Sequence, residues 1–131
     1  MLVLRIVIAA AVLLALYVRF APSDAGRSHV SGAVQSDADL EGGVKRILPG
    51  VTLAELDQIA QQTPRTKVLA GSVDDGMITY VTRSRLIGFP DYTTVEAKDG
   101  MVTVFARLRF GRSDLGVNRR RVEGWIKALG A

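Results

Sequence analysis

The chain has 131 residues, 48% of them apolar, so it amounts to one domain and can bury a core of its own. Seventeen Lys and Arg against thirteen Asp and Glu leave a net charge of +4. With no cysteine and one histidine, His29, a disulfide framework, a zinc–thiolate site, a thiol nucleophile and most triad or metal chemistry are excluded.

From Ile6 to Val18 the sequence IVIAAAVLLALYV is apolar without a break, flanked by Arg5 and Arg19. Counted from Leu2 to Ala21, the stretch makes roughly 30 Å of helix at about 1.5 Å per residue, enough for the hydrocarbon core if both arginines snorkel to the interfaces. Tyr17 then falls in the aromatic belt. Signal-peptidase cleavage needs small residues at suitable positions, and the best candidate, Ser23-Asp24-Ala25, carries an Asp and follows Arg19 closely. Residues 1–21 are therefore expected to be an uncleaved, single-pass transmembrane signal anchor, with the membrane as partner through residues 2–21. Arg5 on one side nearly balances Arg19 and Arg27 on the other. A charged start before an apolar core is the usual export signature, which points to a bacterial-type cell membrane with the domain on the periplasmic side.

Residues 22–50 are rich in Ser, Gly, Ala and Asp and read as a flexible tether containing His29, with one extended piece at Val44–Leu48. Thr52-Leu53-Ala54-Glu55 forms a capping box, in which the Thr hydroxyl takes the Glu55 amide and the Glu carboxylate returns to the Thr52 amide. Val51 and Leu56 add a hydrophobic staple. The helix runs to about Gln62, with Leu53, Leu56, Ile59 and Ala60 on one face, and Pro64 closes it. The period then changes to two, giving strands at 66–71, 77–87, 92–98 and 101–110, separated by turns at Asp74-Asp75-Gly76, Gly88-Phe89-Pro90-Asp91 and Asp99-Gly100. Ser113 and Asp114 introduce a last helix carrying Val122, Trp125, Ile126 and Leu129, ended by Gly130. The expected fold is α+β: a membrane helix, then over residues 51–131 a two-layer sandwich of a four-stranded antiparallel meander with one helix before and one after it on the same face.

The Asp99-Gly100 hairpin sets Lys98 opposite Met101, Glu96 opposite Thr103, Thr94 opposite Phe105 and Tyr92 opposite Arg107. Val95, Val104, Ala106, Leu108 and Phe110 then share the apolar face. In the simplest register of the preceding turn, Arg83 sits near Glu96 and Arg85 near Thr94. Arg83, Arg85, Arg107 and Arg109 would project from one face, interleaved with Tyr92 and Phe105, as an anion-binding platform. A solvated face that uses charge for solubility is the plainer alternative. A second basic cluster, Arg112 with Arg119-Arg120-Arg121, lies at a helix start, where cations oppose the macrodipole unless a carboxylate or external anion is present. Asp91 and Asp114 could supply that carboxylate, and Glu123 is spaced to reach Arg119 and Lys127.

Tyr80-Val81-Thr82-Arg83-Ser84-Arg85-Leu86-Ile87-Gly88-Phe89-Pro90-Asp91-Tyr92, then Arg107-Leu108-Arg109-Phe110-Gly111-Arg112-Ser113-Asp114-Leu115-Gly116-Val117-Asn118-Arg119 and Arg121-Val122-Glu123, resemble the DUF1499 family, whose activity is not established. The resemblance covers roughly residues 50–129. Many relatives look secreted or membrane-attached, and many begin with a Pro-Cys-rich segment that is absent here. The residues that carry the resemblance, among them Gly88, Pro90, Asp91, Ser113, Asp114, Gly116 and Asn118, coincide with the Arg face and the helix start; several of them, such as Gly88 and Pro90, fit a role in backbone geometry.

The sequence thus supports a membrane-anchored, non-enzymatic binding or structural module of the cell envelope, taking an anionic envelope ligand or an acidic protein partner. The anion-binding candidates are Arg83, Arg85, Arg107, Arg109, Arg112 and Arg119. The alternative is a hydrolase-type enzyme using Asp91 and Asp114 as acid and base. No phosphate loop, metal-ligand spacing or nucleophile elbow is present, so no catalytic residue, metal or cofactor is assigned. Nucleic acid is disfavoured by the modest charge and the export-like anchor.

Overall fold

The computed structural model describes residues 1–130; Ala131, the last residue of the expected domain, lies outside them. The N-terminal apolar run forms one helix, α1 (Leu2–Phe20), long and apolar enough to cross a membrane, with a mean hydropathy of 2.3. Its surface is almost wholly exposed, as suits a signal anchor or a signal peptide, until Val18 and Ala21 become buried against the domain. A single helical turn, α2 (Ala25–Ser28), follows, with the Asp24 carboxylate accepting the Gly26 amide at 2.9 Å.

The domain is α+β, built on one antiparallel sheet of six strands: β1 (Ala38–Leu40), β2 (Gly43–Leu48), β3 (Thr66–Ser72), β4 (Met77–Arg83), β5 (Pro90–Lys98) and β6 (Met101–Leu108). Their order across the sheet is β1-β2-β6-β5-β4-β3. The expected four-strand meander is therefore present but incomplete. Residues 38–48, assigned to the tether by composition, contribute β1 and β2, and β2 pairs along β6 from Gly43 opposite Arg107 to Leu48 opposite Val102. Lys45 and Arg46 mask the alternation in Gly43-Val44-Lys45-Arg46-Ile47-Leu48, yet Val44 and Leu48 are core residues. Arg46 shares their face and reaches Asp39 at 2.6 Å and Glu123 at 3.6 Å.

Two helices, α3 (Leu53–Gln62) and α4 (Val117–Leu129), cover one sheet face, as the sequence predicts. Leu53, Leu56 and Ala60 of α3 and Val122 and Trp125 of α4 close over Val44, Leu48, Ile78, Tyr80, Val95, Val102, Val104 and Ala106. Polar anchors fix the layers: the Trp125 indole donates to Thr63 Oγ1 at 2.8 Å, and the buried Tyr80 hydroxyl donates to Asp57. Thr52 accepts the Glu55 amide as expected, but its hydroxyl, rather than its amide, donates to the Glu55 carboxylate. At the other end Gly130, with φ +73°, gives α4 its left-handed cap.

The Asp99-Gly100 hairpin has the predicted register, Lys98 opposite Met101 and Tyr92 opposite Arg107. The β4–β5 register differs. β4 ends at Arg83, which lies opposite Pro90, while Glu96 lies opposite Met77. The Ser84 hydroxyl accepts the amides of Gly88 (3.1 Å) and Phe89 (2.8 Å), and this closed loop lifts Arg85 off the sheet. Phe110 likewise lies beyond β6, with its ring edge-on to Tyr17 at 6.0 Å.

Candidate functional site

The sheet face turned away from α3 and α4 carries Thr79, Arg83, Tyr92, Thr94, Glu96, Phe105 and Arg107 by strand parity. The N-terminal segment from Val18 to Gly32 lies across it. Tyr92 donates its hydroxyl to Ser23 Oγ at 3.0 Å, Ser31 donates to Glu96 at 2.8 Å, and His29 Nδ1 is 2.7 Å from Thr79 Oγ1. Gly32 is pressed against Phe105 so closely that a Cβ there would stand 2.5 Å from the Phe105 Cβ. The segment is a strap across the sheet.

Arginines hold the strap through its carbonyls. Arg107 Nη2 donates to the Ser28 carbonyl at 2.5 Å, and its Nη1 to Thr94 Oγ1 at 2.8 Å, while the guanidinium lies over the Phe105 and Tyr92 rings. Burial pulls Arg107 below the ordinary guanidinium value. Thr94 in turn is 2.9 Å from Thr79, so an unbroken hydrogen-bonded row joins Arg107 to His29. Arg109 donates to the Pro22 carbonyl at 2.7 Å and the Tyr92 hydroxyl at 3.2 Å. Arg83 donates to the carbonyls of Val18 (3.2 Å), Ala21 (3.0 Å) and Gly88 (2.9 Å), which ties the end of α1 to the 84–89 loop. These carbonyls take up part of the guanidinium donors and leave the positive charge unneutralised.

Beside that tie opens a cleft of about 520 Å³, lined by Arg19, Pro22, Arg65, Lys67, Arg83 and Arg85 among others. Among the described residues no carboxylate lines it, and none of its five basic side chains has a carboxylate within 4.0 Å. The cleft brings Arg83 and Arg85 together, with Arg85 off the sheet rather than on the expected face; Arg107 and Arg109 lie under the strap instead. Arg19, Arg65 and Lys67 were not among the sequence candidates. Lys67 pairs opposite Val81 and so shares a face with Arg83.

The second basic cluster has partners on other elements. Arg112 is 3.5 Å from Glu41 and Arg119 is 3.6 Å from Asp39, whereas Glu123 turns to Arg46. The start of α4 is capped from within: Asp114 accepts the amides of Gly116 (2.9 Å) and Asn118 (3.0 Å) and the Asn118 side chain (2.9 Å). Asn118 Nδ2 also reaches Asp91 at 3.2 Å, its Oδ1 accepts from Arg121 at 2.7 Å, and Arg121 lies 3.6 Å from Asp91. Burial raises the Asp91 carboxyl above its ordinary value despite Arg121. The Asp114 carboxyl is lowered, its own burial outweighed by the bonds from Asn118 and Gly116. Asp91, Asp114, Asn118 and Arg121 therefore form one polar network that fastens β5 to α4, with Ser113 capping the Leu115 amide at 3.3 Å beside it.

A family model described as a protein of unknown function, DUF1499, matches residues 30–129. The chain belongs to the DUF1499 family. That match begins upstream of residue 50 and so takes in β1, β2 and the end of the strap with the rest of the DUF1499 domain. No curated protein and no solved structure matches the chain.

Proposed function

We propose that this DUF1499 protein is a single-pass, membrane-anchored, non-enzymatic module of the cell envelope that holds an anionic group in the basic cleft beside the end of α1. The observation that carries the reading is the lining itself: Arg19, Arg65, Lys67, Arg83 and Arg85 converge with no carboxylate among the described residues of the lining. Five like charges repel one another, and an anion bound between them removes that repulsion while collecting charge-assisted hydrogen bonds. The cleft lies where α1 meets the domain, so an anionic headgroup or a phosphorylated envelope component on the periplasmic side would be within reach.

A hydrolase built on Asp91 and Asp114 has one observation in its favour, the opposed displacements of the two carboxyls. Both Asp114 oxygens are nevertheless taken by N–H donors at the α4 start, which favours a capping role.

The test is the thermal midpoint of the full chain in phosphatidylcholine nanodiscs, titrated with inorganic phosphate and glycerol phosphate at low and high salt. Binding to the folded state alone raises the midpoint by mass action. The expected rise is salt-sensitive and is lost in Lys67→Glu with Arg85→Glu. No rise with either anion overturns the proposal.

A further inference from the structure

The last turn of α1 is seated between two loops, and both loops expose leucine. On one side Arg19 packs on Gly88, where a Cβ would stand 3.1 Å from Arg19 Cγ; on the other Tyr17 meets Phe110. The first loop, residues 84–89, shows Leu86 at 87% exposure, with Ile87 and Phe89 also exposed. The second, residues 109–116, shows Leu115 at 82%. Isolated exposed apolar residues are ordinary in any protein, but these converge at one end of the sheet, where β4 and β6 finish and β5 begins.

Neither loop is slack. Ser84 closes the first through two amides, and Ser113 and Asp114 brace the second on both sides of Leu115. Leu115 also has φ +54°, a left-handed conformation that favours glycine or asparagine over leucine. The fold therefore holds a leucine outward at a cost in both backbone strain and hydration.

Charge is polarised along the same axis. The loops carry Arg85, Arg109 and Arg112, with Arg19 beside them, against Asp114, which caps α4, and Glu41 of the β1–β2 turn, 3.5 Å from Arg112, while the turns at the opposite end of the sheet carry Asp74, Asp75 and Asp99. An apolar tip rimmed by arginine suits the interfacial zone of an anionic bilayer, where leucine and phenylalanine enter the acyl boundary and guanidinium groups meet phosphates.

We propose that loops 84–89 and 109–116 form a membrane-docking surface. Leu86, Ile87, Phe89 and Leu115 enter the interface of the bilayer that α1 spans, with Arg19 and Arg85 at the lipid phosphates. This rests on the membrane-anchored reading above and adds that the domain is held with one end against the bilayer. The Tyr17–Phe110 pair then sits in the aromatic belt, and α1 and the two loops enter the membrane as one unit. The acidic turns at the other end face water.

Because the chain has no cysteine, the surface can be probed one position at a time. Leu86→Cys, Leu115→Cys, Asp75→Cys and Val12→Cys, each in the full chain, are labelled with a polarity-sensitive fluorophore and placed in nanodiscs of phosphatidylglycerol and phosphatidylcholine. Trp125, the only tryptophan, reports folding in every variant. Probes at 86 and 115 are expected to emit blue-shifted from the probe at 75, to be quenched several-fold more by interfacial spin-labelled lipid, and to be shielded from iodide. If Val12 is quenched by lipid while 86 and 115 behave like 75, the anchor stands and the docking surface is overturned. If Val12 also behaves like 75, the anchor fails and the docking surface fails with it.

Discussion

Arg107 donates to the carbonyl of Ser28, 79 positions away in sequence, and so fastens the N-terminal strap to the middle of the sheet. The same guanidinium bonds to Thr94 and stacks on Phe105, which makes one side chain the junction of strap, β5 and β6. A charged donor is suited to this role because its hydrogen bonds to carbonyls are about twice as strong as those of a neutral donor.

Arg107→Ala is expected to free the strap, at a cost of about 1.5–3 kcal/mol for the lost charged hydrogen bonds. Trypsin should then cut after Arg27 much faster than in the native chain, while Trp125 fluorescence stays native. Unchanged cleavage would show that the other strap contacts suffice.

Gly32→Ala attacks the same contact from the strap's side. Its new methyl meets Phe105, and overpacking of this kind costs typically 1–3 kcal/mol. The variant should resemble Arg107→Ala in proteolysis, and the double variant should show less than the sum of the two effects, because both release one segment.

Arg83→Lys is expected to behave as a disruptive change. A single ammonium cannot reproduce the planar fork that reaches the carbonyls of Val18, Ala21 and Gly88. Spin-label distances between α1 and the 84–89 loop should broaden. A distribution as narrow as the native one would mean that the Arg19–Gly88 and Tyr17–Phe110 contacts suffice to set the helix.

The two aspartates of the β5–α4 network should act on stability with opposite sign. Asp114, lowered below its ordinary value of 3.8, contributes stability that is present above that value and is lost as pH falls through the folded pKa. Asp114→Ala should therefore cost about 1 kcal/mol at neutral pH, as the loss of a cap, and progressively less in acid. Asp91, raised above 3.8, works in the other sense: its contribution is present below that value and is lost as pH rises through the folded pKa. The midpoint of Asp91→Asn relative to the native chain should accordingly improve with rising pH. Parallel pH curves for both variants would contradict this assignment.

Thr93 is fully buried on the helix-facing side, and its hydroxyl has no partner among the described residues. Thr93→Val keeps the shape and removes the unpaired group, so stability should rise by about 1 kcal/mol. A fall in the midpoint would mean that the hydroxyl is bonded in solution.

The sequence by itself determined what a few neighbouring residues decide. Asp99-Gly100 imposes positive φ at both turn positions and so fixes the β5–β6 register; Thr52 and Glu55 begin α3; Gly130 ends α4; the apolar run makes α1. Each rests on sterics or hydrogen bonds within a few residues. The motif residues of the family were legible for the same reason, as contiguous blocks. Only the tertiary structure decided the rest. β2 enters the sheet against β6 through pairing across roughly sixty residues, which adjacent Lys45 and Arg46 conceal from any alternation rule. The arginines of the open face were readable by parity, but their partners are backbone carbonyls of the strap, and every residue has a carbonyl. Arg65 and Lys67 join Arg85 in one cleft because β3 folds back on β4 beside the end of α1, a proximity that the linear order of the charges does not contain.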